Sequence, residues 1–168
     1  KGMDGYIELQ EKTGLFHLAD KDGFDVYFPK TYSDYLHIES AEGTIYMDWQ
    51  SESRTLTLES EPVKATVDAG TSHIMFSVEQ QFDTGLIPEV NLVIGGHNLD
   101  ARLSKQYFPV KTPAALRKWI ETAVVDADVK EFAMAYRHGP PRNDIRARTT
   151  QILMRAENAD IDYHPDWP

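Results

Sequence analysis

The 168-residue chain is 41% apolar and 26% charged, a balance typical of self-folding globular domains and well away from that of disordered chains. It has no cysteine, which excludes disulfides, thiolate nucleophiles and every zinc site built on Cys ligands. A net charge of −10 works against general affinity for phosphate backbones or anionic membranes.

The charge is unevenly distributed. Residues 1–100 carry a net charge of −12 and residues 101–168 a net charge of +2, so a basic protein partner fits the first part better than nucleic acid does. The length suits one domain, 1–168, large enough to bury roughly 70% of its unfolded surface. No stretch approaches the ~20 apolar residues of a membrane-spanning helix, and no hydrophobic signal run opens the chain. Together with the missing cysteines, these features point to a cytoplasmic protein.

From Tyr6 to about Val110 the apolar pattern has period two, interrupted by turn residues, as in an antiparallel sheet or sandwich. Ile7 and Leu9 alternate with Glu8, and Phe24, Val26 and Phe28 with Asp25 and Tyr27. Leu36 and Ile38 flank His37, and Ile45, Met47 and Trp49 alternate with Tyr46 and Asp48. Leu56 with Leu58, Val63 with Ala65 and Val67, and Ile74 with Phe76 and Val78 continue the series. Glycines at Gly14, Gly23, Gly43 and Gly70, each closing a short polar stretch, predict hairpin turns that need positive φ.

Beyond Pro109 the period becomes helical. Thr112-Pro113 predicts an N-cap and first helical position, followed by a stripe of Leu116, Trp119, Ile120, Ala123 and Val124. Asp128 and Glu131 read as a capping box that opens a second helix on Val129, Phe132, Ala133 and Tyr136, ended by Gly139-Pro140-Pro141. A third helix is predicted over 143–156. The expected fold class is therefore α+β: an antiparallel β-sheet or sandwich over residues 5–108, then about three α-helices over 112–157 packed on it.

Motifs with strong chemical meaning are absent: the chain has no Walker A loop, Gly-x-Gly-x-x-Gly turn, His-Glu-x-x-His helix, nucleophile elbow or EF-hand loop. Among the weaker constellations, His97 and Asp100 follow Gly95-Gly96, where a carboxylate could orient an imidazole as a general base. They are the catalytic candidates of a small hydrolytic enzyme placed near a sheet-helix cleft. Asp160, Asp162, His164 and Asp166 recur at every second position, but alternate carboxylates without a rigid scaffold make a poor cage, so no metal site and no cofactor are expected. Arg148, Gln151 and Arg155 would share a helical face suited to phosphate, yet no aromatic residues interleave the arginines, and nearby carboxylates can neutralise them.

The more telling pattern lies in the strands. If Ile, Leu, Phe and Trp face the core, the alternate face presents Tyr6, His17, Tyr27, Tyr35, His37, Tyr46 and His73 among acids that include Glu8 and Asp48. Tyrosine buries apolar area at low entropic cost while keeping a polar tip. The expected function is thus non-catalytic protein binding of the inhibitor, immunity, adaptor or chaperone type. Tyr6, Tyr27, Tyr35, His37, Tyr46 and Asp48 are the expected partner-binding residues, set against a basic partner. A structural subunit of a larger assembly is a third reading, and it predicts self-association.

Overall fold

Alternating side chains make strands wherever one face can be buried, and in the computed structural model this pattern extends across the whole described chain. The structure describes residues 3–27, 29, 32–100, 124–139 and 148–161, with backbone alone for 124–127 and 159–161. Eleven strands are present: β1 (Gly5–Leu9), β2 (Thr13–Asp20), β3 (Phe24–Val26), β4 (Leu36–Ile38), β5 (Ser40–Gln50), β6 (Thr55–Ser60), β7 (Val63–Val67), β8 (Gly70–Gln81), β9 (Glu89–Asp100), β10 (Val124–His138) and β11 (Arg148–Ile161).

Nine of them form one antiparallel sheet in the order β1-β2-β5-β6-β8-β9-β10-β11, with β7 pairing both β5 and β8. Strands β6 and β7 thus share one lane between β5 and β8, interrupted at Glu61-Pro62. Proline has no N–H to give a ladder. There the Ser60 hydroxyl accepts the Phe76 N–H of β8 at 2.9 Å, and Glu61 N–H bonds Thr44 O at 3.0 Å. Gly43 lies where β5 passes this break: a Cβ there would come within 2.8 Å of Val63 Cα.

Directly paired residues share a face, so the register sorts the side chains. One face carries Ile7, Phe16, Leu18, Ala41, Ile45, Met47, Leu58, Ile74, Leu92, Ile94, Met134 and Ile152. The other carries Tyr6, Glu8, His17, Tyr46, Asp48, Thr57, Glu59, His73 and Arg155. The small second sheet, β3-β4, closes over the apolar side: Phe24 joins Leu18, Ala41 and Val63 in a buried cluster, with Phe16, Val26 and Ile38 packed against it. Burying one such leucine contributes about 1.5–3 kcal/mol. A second centre forms where Val129 packs with Leu99, Phe132 and Ala156, beside an irregularity in the β10–β11 register between Val129 and Glu131 and near Asn98, whose φ is 52°.

The helical expectation is overturned. The described residues contain no helix: the predicted second helix is strand β10, and the described part of the third is β11. The fold of these residues is all-β, not α+β. The first predicted helix falls on residues outside those described, apart from Val124, which begins β10. The reason is visible in β10. Phe132 and Tyr136 are four apart, a spacing that both a helix and a strand place on one face. Met134, two residues from each, decides between them: it pairs Ile94 and Ile152 on the apolar side, while Ala133, read as inward in a helix, is exposed. The supposed capping box serves neighbouring chain segments instead. Glu131 accepts from Arg155 at 3.0 Å, and Asp128 from the Asn158 amide at 3.1 Å.

The turn glycines divide evenly. Gly23 and Gly70 have positive φ as expected, 79° and 131°. Gly14 and Gly43 instead lie within β2 and β5, placed by close packing and not by turn geometry. Among the described residues no helix is long and apolar enough to cross a membrane.

A candidate acidic and aromatic binding site

Four strands at the β1 end of the sheet bring their polar-face residues into two adjacent rows. Pairing carries Glu8 to Leu15, Tyr46 and Glu59 across β1, β2, β5 and β6, and Thr13 to Asp48 and Thr57 across the last three. These residues, with Gln10, line an open depression of about 340 Å³. Its charge is wholly acidic. Glu8, Asp48 and Glu59 form no ion pair among the described residues, so three carboxylates remain available at its wall. A further row, Tyr6 to His17 to Thr44, borders it; the Tyr6 and His17 rings lie 5.0 Å apart, and His17 Nδ1 is 3.4 Å from Thr44 Oγ1.

Tyr46 stands at the centre, 43% exposed. Its hydroxyl donates to Glu61 Oε1 at 2.9 Å. That hydrogen bond, helped by desolvation and by the negative charge of Glu61, holds the phenol above its ordinary pKa. The ring is therefore a neutral, fixed apolar plate flanked by carboxylates. Such a combination suits a lysine or arginine side chain, whose stem lies on the ring while its head meets the acids. Among the described residues no group of three or more His, Asp or Glu is spaced to hold a metal ion.

The six residues expected to bind a partner fall on two surfaces. Tyr6, Tyr46 and Asp48 lie on the polar face just described. Tyr27, Tyr35 and His37 belong to the β3-β4 arm, where the Tyr27 and Tyr35 rings stack at 4.7 Å and His37 Nδ1 meets Asp25 Oδ1 at 2.8 Å, both side chains exposed. Because Phe24, Val26 and Ile38 of that arm pack on the apolar side of the main sheet, the two groups occupy opposite sides of it. They cannot grip one small epitope together.

His97 lies within β9, opposite Thr71 and Glu131, and its ring stacks on His73 with centroids 6.3 Å apart. Asp100 closes the same strand opposite Asp128, its backbone N–H bonded to Ala69 O at 2.9 Å. Gly95-Gly96 lies within the strand as well. Neither His97 nor Asp100 lines the depression. Of the arginines weighed for phosphate binding, Arg155 pairs with Glu131 and Glu157 at 3.0 and 3.1 Å, and on the neighbouring strand Arg137 pairs with Glu89 at 3.0 Å. The chain's own acids thus engage both. The run from Asp162 to Asp166 lies outside the described residues.

Sequence reasoning passed over two contributors, Glu59 and Glu61. The alternation of Leu56 and Leu58 already sets Thr57 and Glu59 on the polar face, but which strand lies beside β5 is not written in the local pattern. Neither a protein-family model, nor a curated protein, nor a solved structure matches this chain.

Proposed function

We propose that this chain is a non-catalytic protein-binding domain of the inhibitor, immunity, adaptor or chaperone kind, and that its polar sheet face receives a basic segment of a cytoplasmic partner. One observation supports the reading above the others: Tyr46 stands exposed in an open depression whose charged wall is Glu8, Asp48 and Glu59. The −12 charge of residues 1–100 would speed encounter with a cation, and salt would slow it. Aromatic area supplies the affinity, and the carboxylates set orientation.

The test uses a fluorescein-labelled lysine-rich peptide and fluorescence anisotropy. Wild type is expected to bind it with an affinity that falls as salt is raised. A Glu8→Gln, Asp48→Asn, Glu59→Gln triple variant is expected to bind at least about tenfold more weakly, a loss of ~1.4 kcal/mol. Equal binding by the two proteins, or binding indifferent to salt, would overturn the assignment. Affinity purification from the native source, followed by mass spectrometry, would then identify the partner.

A further inference from the structure

Both ends of the main sheet carry exposed apolar side chains. On β1, Ile7 is 64% exposed, with Tyr6 and Leu9 also open; on β11, Ile152 and Leu153 are 59% and 74% exposed, with Met154 beside them. Unpaired sheet edges are usually guarded by lysine, proline or a bulge, because their free N–H and C=O groups template another strand. From Thr149 to Met154, β11 has no charged residue and no proline, and its register with β10 is regular there.

We infer that these edges join copies of the chain head to tail, β11 of one molecule pairing antiparallel with β1 of a second. Direction permits it. Nine strands in eight lanes, each antiparallel to its neighbour, leave β1 and β11 running oppositely, so a second copy's β1 continues the alternation with both faces in line.

Charge selects the register. With Ile7 set opposite Ile152 on the apolar face, Tyr6 comes opposite Leu153 on the polar face. The same alignment brings Asp4 to Arg155, an ion pair at one end of an apolar centre, and leaves Glu11, in the turn that follows β1, towards Arg148 at the other. Moving two residues so that Leu9 meets Ile152 sets Asp4 against Glu157. Moving two the other way sets Leu9 against Arg148. Like charges opposed across strands, or an apolar side chain opposed to a charge, are unfavourable. Asp4 already extends the β1 edge, its carbonyl accepting Ala19 N–H at 3.1 Å. Arg148 has no ion pair among the described residues, and the half-exposed Arg155 would gain a third carboxylate. The contact is heterologous, so it propagates unless it closes into a ring.

Light scattering coupled to size exclusion tests this over a range of protein concentrations. Wild type is expected to exceed twice the 19.1 kDa monomer mass as concentration rises. Ile7→Lys and Ile152→Lys, each blocking one edge, should remain at monomer mass. Mixed one to one, they should form a species of twice that mass that grows no further, since each supplies the edge the other lacks. Circular dichroism matching wild type shows that the variants are folded; should either differ, Leu9→Lys and Thr150→Lys, which face each other in the same register, replace them in the same design. A wild type that stays monomeric, as closure of β1 on β11 within one chain would make it, overturns the inference. So does a mixture that stays monomeric. An Ile7→Lys protein that associates like wild type would indicate β11 pairing with β11 and would equally refute head-to-tail assembly.

Discussion

The Tyr46 hydroxyl donates a 2.9 Å hydrogen bond to Glu61 Oε1, linking β5 to the break that separates β6 from β7. Folding therefore raises the phenol above its ordinary value of 10.0, chiefly through that bond. The protonated form is the one stabilised, so the contribution is complete below that value and is lost as pH rises through the folded one. In an alkaline titration followed by tyrosinate absorbance, Tyr46 is expected to ionise late, as is Tyr32, whose burial also raises it. Glu61→Gln should return Tyr46 toward the exposed tyrosines and leave Tyr32 late. A titration unchanged by that substitution would contradict the bond.

Asp20 is 1% exposed and organises the first turn after β2. Its carboxylate accepts N–H groups from Asp4 at 2.8 Å, Asp22 at 3.1 Å and Gly23 at 2.7 Å. Asp20→Ala would leave these donors without that acceptor, and a loss of about 3 kcal/mol is expected in urea unfolding. Asp20→Asn keeps one acceptor oxygen and should lose less. Similar midpoints for Asp20→Ala and wild type would refute this account of the turn.

Gly43 and Gly95 should respond oppositely to alanine. A Cβ at Gly43 meets Val63 Cα and Cγ2, each at 2.8 Å, whereas one at Gly95 has nothing within 4 Å. Gly43→Ala is expected to destabilise by about 1–3 kcal/mol through overpacking. Gly95→Ala should be close to neutral. Val63→Ala combined with Gly43→Ala removes Cγ2 but not the backbone contact, so part of the loss should persist. Equal thermal midpoints for the two glycine variants would show that the β5–β7 approach is looser than described.

Arg155 holds the Glu131 carboxyl below its usual range, first by hydrogen bonding and then by charge. A depressed carboxyl contributes stability above its unfolded pKa, near 4.5, and loses it as pH falls through the folded value. Glu131→Gln should therefore be less stable than wild type at neutral pH, with the gap closing on acidification. A difference that stays constant with pH would assign the effect to packing.

Much of the sheet could be read directly from the residues. The strands at Ile7, Leu36, Trp49, Leu58, Val63 and Phe76 follow plain alternation, and the division into an apolar and a tyrosine-bearing face follows with them. Strands β10 and β11 were illegible for a specific reason. Glu131, Ala133, Met134 and Ala135 are strong helix formers, and Phe132 with Tyr136 satisfies both periods, so local preference pointed one way and sheet pairing the other. The site was half legible. Tyr6, Tyr46 and Asp48 were marked by alternation, but their union with Glu8 and Glu59 depends on strand order, and the separation of Tyr27, Tyr35 and His37 depends on how β3-β4 folds over the sheet.

Strand order also bears on how the molecule forms. Apart from the β3-β4 arm, each lane is laid beside the one synthesised just before it, so pairing follows chain order. On a ribosome the sheet can then grow by accretion from its amino-terminal hairpin. Until translation delivers the next segment, every intermediate shows a raw ladder of N–H and C=O groups on its growing side, and it is at this stage that the nascent chain is most open to capture by another.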